Sequence, residues 1–151
     1  MLTRRALIGI AAAAPFVALS ARIAAAKEPE TYATNGIAIN GTDPVAYFTD
    51  GGPVRGSADF TTNFKGASWH FTSAENRDTF LANPEKYGAQ YGGYCAFAAS
   101  RGYVATTVPE AWTIHNDKLY LNFSLGVRRR WLRNLEKNIE AGDANWPGIL
   151  G

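Results

Sequence analysis

Cys95, in the stretch Tyr91-Gly92-Gly93-Tyr94-Cys95, is the only cysteine in the chain, and that count limits the fold more than any other feature. One thiol cannot close a disulfide within the chain. The paired cysteines of a structural zinc site are missing as well. The fold must therefore be held by packing. The chain is equipped for this, with 4 Trp, 7 Tyr and 8 Phe, the side chains that bury the largest areas.

The N-terminus bears on where such a thiol would live. Arg4-Arg5 precedes a nearly uninterrupted apolar run from Ala6 to Leu19, and Ala24-Ala25-Ala26 offers the small side chains that a signal peptidase accepts. Thr3-Arg4-Arg5-Ala6-Leu7 has the form of a signal read by the twin-arginine export machinery. Pro15, Ser20 and Arg22 interrupt the run, which argues against an uncleaved membrane span. The expected organisation is a twin-arginine signal peptide over 1–26, cleaved after Ala26, and a flexible leader over 27–36. One domain over 37–147 and a short tail over 148–151 follow. The expected location is the periplasm, with no stable membrane anchor after cleavage. Losing Arg4, Arg5 and Arg22 takes Lys+Arg from 15 to 12 against 13 Asp+Glu, a formal charge of −1. A domain so balanced argues against a nucleic-acid partner.

Local patterns give the fold class. Ile37-Ala38-Ile39 reads as a short strand, and Asp43-Pro44 as the cap and first position of a helical turn over 45–48. Phe60, Thr62 and Phe64, then Trp69 and Phe71, alternate with polar residues around Lys65-Gly66, which predicts a hairpin with one aromatic face. Ser73 caps a predicted helix over 74–82 that uses Phe80 and Leu81 as its apolar contacts, and Pro84 opens a second over 84–87. A second hairpin turns at 115–118. Ser124 caps one long closing helix, with Val127, Trp131, Leu135 and Ile139 at i+4 spacing and Gly142 as its stop. Trp146-Pro147 is positioned to pin the tail. The class is α+β: one small domain with two β-hairpins, short helices and a long C-terminal helix.

Four segments, NGTDPVAYF, GASWHFTSAENRDTFLANPEKYGAQYGGYCAF, PEAWTI and KLYLNF, together resemble the exported branch of the YHS-domain family, over about 37–147. The resemblance implies an α+β fold and a role in heavy-metal binding, since shorter YHS modules hold metals through several cysteines. Here Thr72 and Ser73 stand where those modules tend to place a cysteine. Only Cys95 is left as an anchor ligand for copper or zinc.

Two function classes follow. In the first, a periplasmic copper- or zinc-handling protein binds metal at Cys95, with His70 and His115 completing a thiolate–imidazole trio. Strand alternation points His70 away from Trp69 and Phe71, and His115 belongs to a hairpin turn. In the second, Cys95 is buried and inert, and a non-catalytic structural or small-ligand-binding domain uses an aromatic pocket formed by Tyr47, Trp69, Tyr91 and Tyr94. An enzyme ranks third. Gly92-Gly93 before a helical turn would set the thiol at a positive helix end, with Arg101 nearby. No catalytic residues are assigned, however, because the chain has no G-x-S-x-G elbow, P-loop or G-x-G-x-x-G. Arg128, Arg129, Arg130 and Arg133 read as a solvated helix face.

Overall fold

The computed structural model describes residues 13–14 and 26–151. The signal-peptide reading of 1–26 therefore lies outside the described residues, apart from Ala13, Ala14 and Ala26. Among the described residues no helix is long and apolar enough to cross a membrane.

Two short strands, β1 (Ala33–Thr34) and β2 (Ile37–Ala38), pair antiparallel. Ile39, expected to extend β2, instead enters a 3-10 turn, Ile39–Gly41. The helical turn after Asp43-Pro44 is α1 (Ala46–Thr49). The aromatic hairpin forms as β3 (Ser57–Phe64) and β4 (Ala67–Phe71). Strand β2 joins β4 in parallel through Ile37 opposite Ser68, so the sheet runs β1-β2-β4-β3. Helices α2 (Ala74–Ala82) and α3 (Pro84–Tyr87) follow, capped by Ser73 and Asn83 through the amides of Asn76 and Lys86. Of the two apolar contacts expected of α2, Phe80 is buried, whereas Leu81 is 52% exposed. Position 81 falls on the outer face, and the ring of Phe80 meets Trp69, Phe71 and Phe64 at centroid distances of 5.2–5.5 Å.

Beyond the 3-10 turn Gln90–Gly93 comes α4 (Ala96–Ser100), and then the hairpin β5 (Trp112–His115) and β6 (Lys118–Leu121). The closing helix is broken. Helix α5 (Leu125–Leu132) ends before Asn134, whose φ and ψ of −133° and 50° leave the helical region, and α6 (Leu135–Asn145) starts afresh. The break is braced by Asn138, whose Nδ2 donates to the Trp131 carbonyl at 2.8 Å, alongside the backbone amides that this carbonyl also accepts at the helix end. Trp131 remains fully buried, and Leu135 packs against its cluster from the far side of the break. Gly142 does not stop the helix. It lies inside α6, and a side chain is excluded there because a Cβ would sit 2.6 Å from the Tyr91 hydroxyl oxygen.

The core has two parts. One gathers Tyr47, Trp69, Phe71, Phe80, Leu119 and Leu121, and the other gathers Tyr91, Ala96, Ala99, Tyr120 and Trp131. The leader expected to be flexible over 27–36 is tied to the glycine turn and to the C-terminal tail. The Glu28 amide donates to Leu150 O and the Tyr32 amide to Gly92 O, each at 2.8 Å, and Thr31 is buried. Its polar composition concealed these backbone pairings, which depend on partners about sixty and about a hundred and twenty residues away.

Candidate functional site

The Gln90–Gly93 turn decides what the central face of the molecule presents. Tyr91 occupies the left-handed region (φ 56°, ψ 36°), unusual for a residue with a side chain. Gly92 follows it at φ +62°, where a Cβ would meet the Glu30 carbonyl oxygen at 1.9 Å. The glycine thus lets the leader lie directly on the turn. The Tyr91 ring is buried, and its hydroxyl donates to Asp143 Oδ1 at 2.9 Å on α6. Burial, and then the bond to Asp143, hold the Tyr91 hydroxyl well above the usual tyrosine range, so it stays a neutral donor.

A cleft of about 320 Å³ opens beside this turn. Its aromatic lining comes from Phe64, Trp69, Tyr91 and Trp146, and Lys65 and Lys118 share the lining with the carboxylates of Glu30, Glu85 and Asp143. Lys65 lies 3.7 Å from Glu30 and 3.3 Å from Glu85, an exposed cluster that water screens. Trp146 packs on Tyr91 and Tyr94 at 6.1 and 6.4 Å, the docking expected of the tail. Segments from across the chain thus build one concave site: the leader, the aromatic hairpin, α3, the glycine turn, β6, and α6 with Trp146 just after it.

Of the four aromatics expected to form a pocket, two do so. Trp69 and Tyr91 line the cleft. Tyr47 is a core residue stacked on Trp112 at 5.8 Å, its hydroxyl donating to Pro109 O at 3.0 Å. Tyr94 is buried against Tyr32, with its hydroxyl on Pro29 O at 2.9 Å. Lys65, Glu30, Asp143 and Trp146 were not legible as site residues, because nothing local distinguishes them from surface charges or a tail anchor.

The metal candidates do not come together. Among the described residues no three His, Cys, Asp or Glu side chains form a group that could hold an ion. Cys95 is 1% exposed, with Sγ 3.5 Å from Asn122 Oδ1 and accepting the Phe123 amide at 3.3 Å. His115 pairs with Glu136 at 2.9 Å. His70 faces away from Trp69, as the alternation required, and lines a different depression. A single shielded thiol with an amide oxygen beside it is not a copper or zinc donor set. Among the described residues, the donors do not fit copper or zinc. Cys95 does sit immediately before α4, but Arg101, expected as a nearby cation, stacks over Phe97 at 4.9 Å instead.

The hairpin β3–β4, with α1 on one side and α2, α3 and the glycine turn on the other, is the part with known counterparts. Residues 45–91 are a YHS domain. The match begins at the first turn of α1 and ends on Tyr91, so it contains Trp69 and His70 but not Cys95 or His115. It is narrower than the resemblance over 37–147. The cleft therefore lies where the YHS domain meets its flanks: Trp69, Glu85 and Tyr91 come from within it, and Glu30, Lys118, Asp143 and Trp146 from outside. No curated protein and no solved structure matches the chain.

Proposed function

We propose that the chain is an exported, non-catalytic binding protein that holds a small ring-bearing zwitterion in the cleft between its YHS domain and the flanking segments. The observation that carries this reading is the lining: four aromatic residues beside two lysines and three carboxylates in one concavity. Rings supply apolar contact, and charges of both signs orient a ligand that carries both. The volume of about 320 Å³ suits a single small molecule. Export to the periplasm rests on the sequence of 1–26, and burial of the lone thiol is consistent with life in an oxidising compartment.

The test uses protein recovered from the periplasmic fraction, with its N-terminus sequenced and expected at Lys27. It is titrated with L-tryptophan and L-phenylalanine, following the indole resonances of Trp69 and Trp146 by NMR. Saturable shifts on both indoles are expected, weakened roughly tenfold by Trp146→Ala. Shifts that never saturate, or that ignore the substitution, would sink the cleft reading. Recovery of the intact chain in the membrane fraction would sink the export reading. A parallel titration with Cu(I) and Zn(II) is expected to show no tight uptake. Tight uptake abolished by Cys95→Ser would move the function to metal handling.

A further inference from the structure

On the other face of β4 from Trp69 lies a second depression, of about 380 Å³, that shares no lining residue with the first. It is bounded by Asn35, Asn40, Arg55, Ala58 and His70. Its chemistry differs from the first cleft in one decisive respect, because no carboxylate lines it. Arg55 forms no ion pair among the described residues. Its guanidinium and the His70 ring bring N–H donors, and two asparagines bring side-chain amides.

The fold holds this depression open. Strand β3 carries a bulge: Ser57 pairs with Phe71 and Thr61 with the adjacent His70, so residues 58–60 are additional on β3. Arg55, just before β3, is fixed at its backbone by a bridge to Thr42 and by the Gly56 amide donating to Gly41 O at 2.8 Å. Asn40, in the left-handed region at φ 59°, is anchored by Nδ2 donating to Thr107 O at 2.9 Å. A site with one permanent cation, an imidazole, two amides and no acid repels cations and accepts anions.

We infer that this depression binds a small oxyanion, a carboxylate or phosphate group, with Arg55 as the clamp and His70 as the second donor. Arg55 and both asparagines are exposed, so water competes and binding falls on the order of 1 mM.

NMR titration of the full chain with inorganic phosphate, succinate or chloride, at neutral pH and matched ionic strength, tests this. The side-chain resonances of Arg55 and His70 are expected to shift saturably with phosphate, succinate or both, and not with chloride. Saturation by one oxyanion alone assigns the class. Arg55→Gln is expected to weaken binding roughly tenfold, while amide resonances away from the site stay in place. His70→Gln, which keeps a donor, is expected to weaken it less. Linear shifts equal to those of chloride would overturn the proposal. So would unchanged affinity in Arg55→Gln, or shifts centred on Lys65 and Lys118.

Discussion

Asp43 is the residue on which the first half of the domain turns. It is fully buried. Oδ1 accepts the amides of Val45 and Ala46 at 2.9 and 3.3 Å, as a cap should, and Oδ2 takes a second set: the Thr72 amide and hydroxyl at 2.9 Å and Asn76 Nδ2 at 2.7 Å. Five donors thus meet one carboxylate, and they join α1 to the end of β4 and the start of α2. Replacing it by Ala leaves the buried Val45 and Ala46 amides without an acceptor and unties Thr72 and Asn76, at a cost of about 3 kcal/mol or more. Urea denaturation of Asp43→Ala should show that loss, and a change below about 1 kcal/mol would mean the donors find other partners. The cap was legible in Asp43-Pro44. The other three bonds were not, since Thr72 and Asn76 are about thirty residues away and any Asp before a helix would look the same. Cys95 is the converse case: its aromatic and small neighbours pointed to burial, and buried it is.

At the scale of elements, tyrosines connect pieces that sequence alone leaves separate. Tyr47 ties α1 to the Pro109 carbonyl and Trp112, and Tyr120 of β6 lies 5.1 Å from Trp131 of α5. Burial is the main cause that pushes both hydroxyls up to about 12, from an ordinary value near 10. The folded protein then keeps protons that the unfolded chain releases. The stabilisation is complete below about pH 10 and is lost as pH rises from about 10 to about 12, on the order of 2 kcal/mol for each ring. Urea midpoints measured across that interval should fall less steeply in Tyr47→Phe/Tyr120→Phe than in the parent, and parallel curves would refute the assignment. Hairpins and short helices were readable because two-residue alternation, Ser caps and Asn83-Pro84 act within a few positions. The break at Asn134 was not, because the i+4 stripe from Val127 to Ile139 continues across it. The non-helical backbone of Asn134, with Asn138 reaching back to Trp131 O, shows where the ladder stops. Gly142 was misread for the same reason: the tyrosine that requires it is distant in sequence.

The whole molecule shows that the YHS domain is not a self-sufficient unit here. Its core cluster draws Ala38 and Ile39 from before residue 45, and Leu119 and Leu121 from beyond residue 91. Its central strand β4 pairs on one side with β2, which precedes the domain. Asp43, which joins α1 to α2, also lies outside it, and Tyr91 at its last position is bonded to Asp143. Cut at 45 and 91, the segment would keep the β3–β4 hairpin and the contacts of Phe80, but would lose the strand beside β4 and much of its apolar cover. A chain that short buries too small a fraction of its surface to offset the entropy of ordering it. An isolated 45–91 peptide is therefore expected to lack dispersed amide resonances and a cooperative melt, whereas 27–151 should unfold in a single transition. A cooperative transition in the peptide would show that the flanks only decorate a finished domain. The cleft would then be an accessory of the flanks, because Glu30, Lys118, Asp143 and Trp146 would contribute to its lining without contributing to the fold beneath it. If the peptide fails to fold, the segments that complete the core are also the segments that complete the cleft. Ligand binding and global stability should then be lost together when either flank is removed.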